Sequence, residues 1–343
     1  MADDSVVMSV IEIDSGAPLS DLRDASRVDR VLLVRDVQRC TTKTGSEYLR
    51  LVVGDRSAQL PGVMWEPSAE ADRGPVLRVV GRVTEHSRYG RQVIVSELQA
   101  IDPDEADLRL LLPGPQEPLA DLVCRLDSTL ESVDDPGLRT LLGSLIGPAG
   151  ELRERFVRAT AAKYNHHAYP GGLLEHTLQV ADATAAVGAL YRDVDRDLAL
   201  AGALLHDIGK LDAYDDDPVA RDMTDAGRLE GEIPMGYYRV RRAIDETHGF
   251  PAERARALLH IILSHHGLLE HGSPVVPCTR EATIVHAMDE LSGRFGAFDR
   301  LERETPADEA WSRYDRVLDT SAWLASPGAD TQALAAAGSE LGS

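Results

Sequence analysis

Four separated stretches place histidine and aspartate at the ends, or along the inner face, of apolar helical patterns: His176, His206-Asp207, His265-His266 and Asp289. His176 shares a face with Leu173, Val180 and Val187 by three-and-four spacing, which turns it inward. His206-Asp207 follows the run LALAGALL and is closed by Ile208-Gly209-Lys210, while His265-His266 ends ALLHIIL in the same manner. Asp289 falls three residues after His286 and seven after Ala282, on the inward stripe of the next helix. A single inward histidine is ordinarily a hydrogen-bonded core residue. Four inward-facing ionisable segments are costly to bury without a cation to pair them, so the set predicts a divalent-metal site. Imidazole and carboxylate suit Mn, Fe, Zn or Ni, and the absence of converging thiolates excludes a cysteine-type zinc centre.

The elements that must position these groups are helical. From Glu151 onward the pattern is helical almost throughout, with candidate helices in ELRERFVRATAAKY, GLLEHTLQVADATAAVGALY, RDLALAGALLHDI, GYYRVRRAIDETH, AERARALLHIILSHH and REATIVHAMDELSGRF. Residues 151–325 are therefore expected to form an all-α domain, followed by a frayed Ala/Gly-rich tail, 326–343. Ahead of it, 106–150 reads as a helical connector with Pro and Gly at both ends. Residues 28–105 hold five short runs rich in Val, Leu and Ile, separated by turn signals such as Lys43-Thr44-Gly45 and Tyr89-Gly90-Arg91. Five strands in so short a stretch predict a small all-β barrel similar to an OB-fold. Residues 1–27 read as a loosely held lead-in.

Composition narrows the function classes. The net charge is −21, but the strand-forming stretch from Val28 to Ile101 carries 11 Lys/Arg against 9 Asp/Glu, a net +2 that leaves −23 elsewhere. The acidic remainder reads as a solubilising surface, and the barrel as the part able to meet phosphate. There Arg39, Lys43, Arg50, Arg88 and Arg91 are candidate phosphate contacts, and Tyr48 and Tyr89 candidate stacking surfaces for bases. Trp65 is expected in the barrel core. No apolar stretch is long enough to span a membrane. Cys40, Cys124 and Cys278 are too few and too scattered for a disulfide framework, so a cytoplasmic location is expected.

The order His, His-Asp, His, Asp is the signature of the HD phosphohydrolase superfamily. The runs NHHAYPGGLLEHT, LLHDIGK and SHHGLLEHGSPVVPCTREA closely resemble the YhaM-type 3′→5′ exoribonucleases, which also place an OB-fold before their HD domain. The resemblance covers roughly residues 28–298. It implies that His176, His206, Asp207 and Asp289 hold one metal, that Asp207 bridges to a second, and that His265 and His266 serve the second metal or the scissile phosphate. Lys210 would neutralise phosphate charge, although a helix-end cation is the simpler role for it. His166 and His167 would touch a non-bridging oxygen. The implied reaction is hydrolysis of single-stranded RNA or DNA to nucleoside monophosphates. Mn2+ is the expected cofactor, one or two ions per chain, with Mg2+, Co2+, Fe2+ and Ni2+ as alternatives. Homo-oligomerisation is left open.

Two departures from the family pattern stand out. Leu229-Glu230-Gly231-Glu232-Ile233 has Glu232 where the family has a ligand histidine, which keeps a ligand but hardens it. Ser292 stands where a second aspartate often follows the last ligand, and is expected to make a supporting contact. Two rival readings remain: an HD phosphohydrolase of nucleotides or small phosphoesters, and a non-catalytic nucleic-acid-binding protein with a degenerate HD site.

Overall fold

The computed structural model describes residues 17–72, 74–86, 90–102, 111–112, 114–162, 167–217, 222–305 and 309–324. Contacts divide the chain into two compact units, one comprising 1–119 with 169–172 and 215–222, the other 120–168, 173–214 and 223–343.

In the first unit, alternation of buried aliphatic and exposed polar residues produces five strands, β1 (Arg27–Thr41), β2 (Glu47–Gly54), β3 (Gln59–Met64), β4 (Val76–His86) and β5 (Gly90–Ala100). The fifteen-residue β1 serves two neighbours: Arg27–Leu33 pairs with β4, and Leu33–Thr41 with β2. An irregularity between Arg35 and Gln38, where Asp36 takes φ 51°, bends the strand so that it can do so. Parallel pairing of Gly62 with Val93 and Val63 with Ile94 joins β3 to β5, and the sheet returns on itself as a closed barrel in the order β1-β2-β3-β5-β4. Its interior is filled by Val28, Leu32, Leu49, Val53, Leu77 and Val93 with their neighbours. Part of the lead-in belongs to this core. Leu19 and Leu22 are buried in it, and Leu19 N–H donates to Asp55 Oδ2 at 2.8 Å, so 17–27 is tied down rather than loose.

The second unit begins with α1 (Leu119–Glu131) and α2 (Pro136–Ile146). These were expected as a connector, but Leu122, Leu126, Leu138 and Leu142 lie in the same core as the later helices, and the unit boundary falls at 119/120. The apolar face of a short helix has to be buried against something, and here the helical core is its only described partner. There follow α3 (Arg153–Arg158), α4 (Gly172–Gly188), α5 (Arg196–Leu205), α6 (Lys210–Ala213), α7 (Asp225–Glu230), α8 (Glu232–Glu246), α9 (Ala252–Ser264) and α10 (Arg280–Glu304). The starts are capped as local chemistry requires: Asp135, Asp195, Thr224 and Thr279 each accept a backbone N–H three residues on. Helix α5 is buried from Leu198 to Leu205, and Gly202 lets Ile261 of α9 approach where a Cβ would meet it at 2.7 Å.

The unit is not wholly α-helical. A hairpin of β6 (Trp311–Asp315) and β7 (Thr320–Trp323) follows α10, its Leu318 and Ala322 packing on Ala297 and Leu301. The pairing is irregular between Trp311 and Tyr314, so burial does not alternate strictly along β6, and these short strands show no period that could be read from sequence. No described helix is long and apolar enough to cross a membrane.

Candidate metal centre

Apolar helices carry the ionisable groups to one place. Helix α5 ends at His206-Asp207, and the chain then turns through Ile208-Gly209, with Lys210 N–H bonded to Asp207 O at 3.0 Å. Gly209 is required by packing: a Cβ there would lie 2.0 Å from Glu232 O and 2.6 Å from Gly236 N. That close approach brings the first turn of α8, and with it Glu232, against the His206-Asp207 turn. Gly231, at φ +83°, makes the left-handed break between α7 and α8 that starts the helix at Glu232. Gly267, at φ +77°, ends α9 after His265-His266, and any side chain there would collide with the His286 ring.

The donor atoms converge in two groups that share Asp207. His176, His206 and Asp207 form one; Asp207, Glu232, His265 and His266 form the other, with ligand atoms in each group within 4.8 Å of one another. His176 Nε2 lies 3.2 Å from His206 Nε2, 3.4 Å from Asp207 Oδ2 and 3.2 Å from Asp289 Oδ1, which adds Asp289 to the first group. Glu232 Oε1 lies 3.4 Å from His266 Nε2.

The other ring nitrogen of each histidine is already engaged. Nδ1–H donates to Ala203 O from His206, to Ile262 O from His265 and to His271 O from His266, at 2.7, 2.7 and 3.0 Å. Ser292 Oγ, 3.1 Å from His176 Nδ1, is placed to accept in the same way. These bonds fix the tautomers and turn four Nε2 lone pairs toward the carboxylates. His265 Nε2 is buried and has no hydrogen-bond partner among the described residues, with Asp207 Oδ1 at 3.6 Å. Buried lone pairs of this kind, facing three carboxylates, fit divalent cations bound through nitrogen and oxygen.

The electrostatics agree. Burial alone would raise the carboxyl of Asp207, yet the Lys210 ammonium, 2.6 Å away, and His206 hold it well below the usual range. Asp289 is likewise held low against burial by His176 and His206. Burial lowers His176, but Asp207 and Asp289 outweigh it and push the imidazole up to about 9. Burial and the neighbouring His265 keep His266 below its ordinary value. Anionic carboxylates at neutral pH thus surround nitrogen lone pairs for which proton and metal compete.

Of the residues expected at the site, His176, His206, Asp207, Lys210, Glu232, His265, His266 and Asp289 come together. His167 is buried nearby, its ring 5.5 Å from that of His176 and its Nε2 3.9 Å from the buried Glu175 carboxylate. His166 lies outside the described residues. Sequence reasoning missed His286, whose Nδ1–H donates to His265 O at 2.8 Å and ties α10 to the His265-His266 turn. Its position three residues before Asp289 was the available signal.

In the barrel unit, Trp65 is not in the core. It is 57% exposed, with its ring 5.3 Å from that of Tyr48. Met64 before it already fills the inward position, and strand alternation sends the next side chain out. Arg50 and Tyr48 alternate with the buried Leu49 and so share the outer face of β2. Lys43 is exposed in the β1–β2 turn. Two expected phosphate contacts have partners within the chain: Arg39 pairs with Asp72 at 2.5 Å, and Arg91 donates to the carbonyls of Ser20 and Leu22 at 2.9 and 3.0 Å. Arg91 therefore pins the lead-in onto the barrel. Arg88 and Tyr89 lie outside the described residues.

Residues 173–294 match the family model described as HD domain, an interval that contains every member of both donor groups. The match supports the HD superfamily, whose members are metal-dependent phosphohydrolases. Among solved structures the chain has a slight likeness to one described as RecG bound to a three-way DNA junction, at 16% identity and a TM-score of 0.22. The likeness covers 51% of this chain and a quarter of that one.

Proposed function

We propose that this protein is a metal-dependent phosphodiesterase that hydrolyses single-stranded RNA or DNA from the 3′ end to nucleoside monophosphates. The observation that carries the reading is the convergence of four histidine Nε2 atoms on Asp207, Glu232 and Asp289, with the buried Nε2 of His265 lacking a hydrogen-bond partner among the described residues. One or two bound ions, Mn2+ foremost for a mixed imidazole and carboxylate donor set, would supply Lewis acidity and bring the pKa of water toward neutrality. Asp207 is the donor common to both groups. Lys210 keeps it ionised and adds positive charge where charge develops on a transferred phosphoryl group. His167, buried beside His176, is suited to a non-bridging phosphate oxygen.

The barrel supports the choice of substrate. Its strand order and closure agree with an OB-fold, and the exposed Trp65 beside the half-buried Tyr48, with Arg50, offers stacking surfaces and a cation to an unpaired strand. Recognition of that kind is tolerant of sequence. All three cysteines are free, which suits a reducing cytoplasm.

Incubating the protein with 3′- and 5′-labelled single strands, mononucleotides and a series of divalent ions tests substrate, polarity and cofactor together. The expected result is release of nucleoside monophosphates from the 3′ end, strongest with Mn2+, and its loss in Asp207→Ala with oligonucleotide binding retained. Turnover of Asp207→Ala within a few-fold of wild type refutes the metal assignment. Hydrolysis of mononucleotides alone refutes the strand as substrate.

A further inference from the structure

The carboxy-terminal hairpin presents aromatic rings that its own folding does not require. Its inner face is complete: Ser312, Asp315, Leu318 and Ala322 are buried, Arg300 of α10 pairs with Asp315 at 2.6 Å, and Ser312 Oγ accepts from Ala322 N at 2.8 Å. The outer face carries Trp311, Tyr314 and Trp323, exposed by 59, 59 and 64%. Trp311 and Trp323 are cross-strand partners, their ring centroids 6.5 Å apart, and the Tyr314 hydroxyl donates to Asp319, which fixes that ring while leaving its faces open. Arg313 and Arg316 are exposed in the same stretch. The chain has three tryptophans, and with Trp65 every one is on the surface, although tryptophan is on average highly buried.

The pattern selects among occupants. The core of a protein interface is depleted of charge, whereas here arginines and the polar Asp319, Thr320 and Ser321 interrupt the rings. Unpaired bases need separate ring faces with cations between them. In a chain of net charge −21, arginines spent beside exposed tryptophans mark a surface for an anionic, base-bearing polymer. We propose that the outer face of this hairpin is a second stacking platform, taking bases on Trp311, Trp323 and Tyr314 and phosphates on Arg313 and Arg316. The inference rests on the reading of a single strand as the substrate.

The test is intrinsic tryptophan emission of the full-length Trp65→Phe protein, in which the signal comes from Trp311 and Trp323 alone, titrated with an unstructured twenty-nucleotide pyrimidine strand. Saturable quenching is expected. In the Trp311→Ser/Trp323→Ser protein, affinity for the labelled strand should fall tenfold or more, with turnover of a chromogenic phosphodiester within twofold and molar mass unchanged. If the wild-type chain hydrolyses strands but hairpin emission is not quenched, the platform is refuted and the substrate reading stands. If it neither binds nor hydrolyses them, the substrate reading fails and the platform with it. A change of molar mass in the double variant with strand affinity kept identifies a copy-to-copy interface and also overturns the proposal.

Discussion

Replacing Gly209 by alanine isolates the contact that brings Glu232 to the metal centre. Gly209 has φ −67° and ψ −20°, so alanine is conformationally acceptable and only packing opposes it. The new Cβ would stand 2.0 Å from Glu232 O, against an ordinary contact of at least 3.4 Å, so the first turn of α8 must retreat by about 1.4 Å. Metal–ligand distances tolerate only about 0.2 Å, so a shift of this size takes Glu232 out of the group formed with Asp207, His265 and His266. Overpacking of this kind costs about 1–3 kcal/mol, partly offset by about 0.4–1 kcal/mol from the stiffer unfolded chain. His176, His206 and Asp289 lie on elements other than α8, so their group with Asp207 should persist. Elemental analysis should therefore show less bound metal per chain than wild type without a fall to zero, and calorimetry a melting point lower by several degrees. Wild-type metal content together with a melting point within a degree of wild type would refute the account of how Glu232 is placed.

Ser292→Ala removes the acceptor at His176 Nδ1 and should weaken metal binding by about 10–100-fold, read by competition with a chromogenic chelator, while the fold is kept. Glu232→His should shift preference from Mn2+ toward softer ions and Glu232→Ala should lower stoichiometry; identical metal content and Mn2+ dependence in all three proteins would show that Glu232 is not a ligand. Asp315 is held below the ordinary carboxylate range because Arg300 and the Leu318 and Val317 N–H groups outweigh its burial. Its stabilisation is present above the unfolded pKa of about 3.9 and is lost as pH falls through the lower folded value. Emission from Trp311 and Trp323 should therefore report release of the hairpin in acid below about pH 4, and Asp315→Asn should remove that pH dependence.

The site was more legible than the frame around it. Ligand identity follows from residue type and helical phase, and Leu173, Val180 and the LALAGALL run carry that phase over whole helices. A supporting role for Ser292 could be expected, but the partners of the supporting contacts were not legible, because they lie across long sequence distances. His286 reaches the carbonyl of His265, and Ser292 reaches His176, 116 residues away, through folding that no local period encodes. The barrel strands showed through their aliphatic runs, but Trp65 did not reveal its side of the sheet, since a strand end can turn either way. Residues 119–146 have clear amphipathic helices, and their pattern says that a face is buried without saying against which partner. The β6–β7 hairpin is too short for its period to compete with the helical pattern before it.

Helix α10 is a single rod of 25 residues, with Asp289 near its middle and Arg300, the anchor of the hairpin, eleven residues further on. At 1.5 Å per residue the two points are about 16 Å apart along its axis, a separation that cannot shorten without breaking the helix. A polymer held at the hairpin while its end is cut beside Asp289 meets a fixed ruler. With an axial rise of about 3.4 Å per nucleotide in a stacked strand, the ruler spans about five nucleotides. Oligonucleotides longer than this would engage both points and be held between successive cuts, and shorter ones would be released, so degradation would slow abruptly at a set remnant length, whatever the sequence.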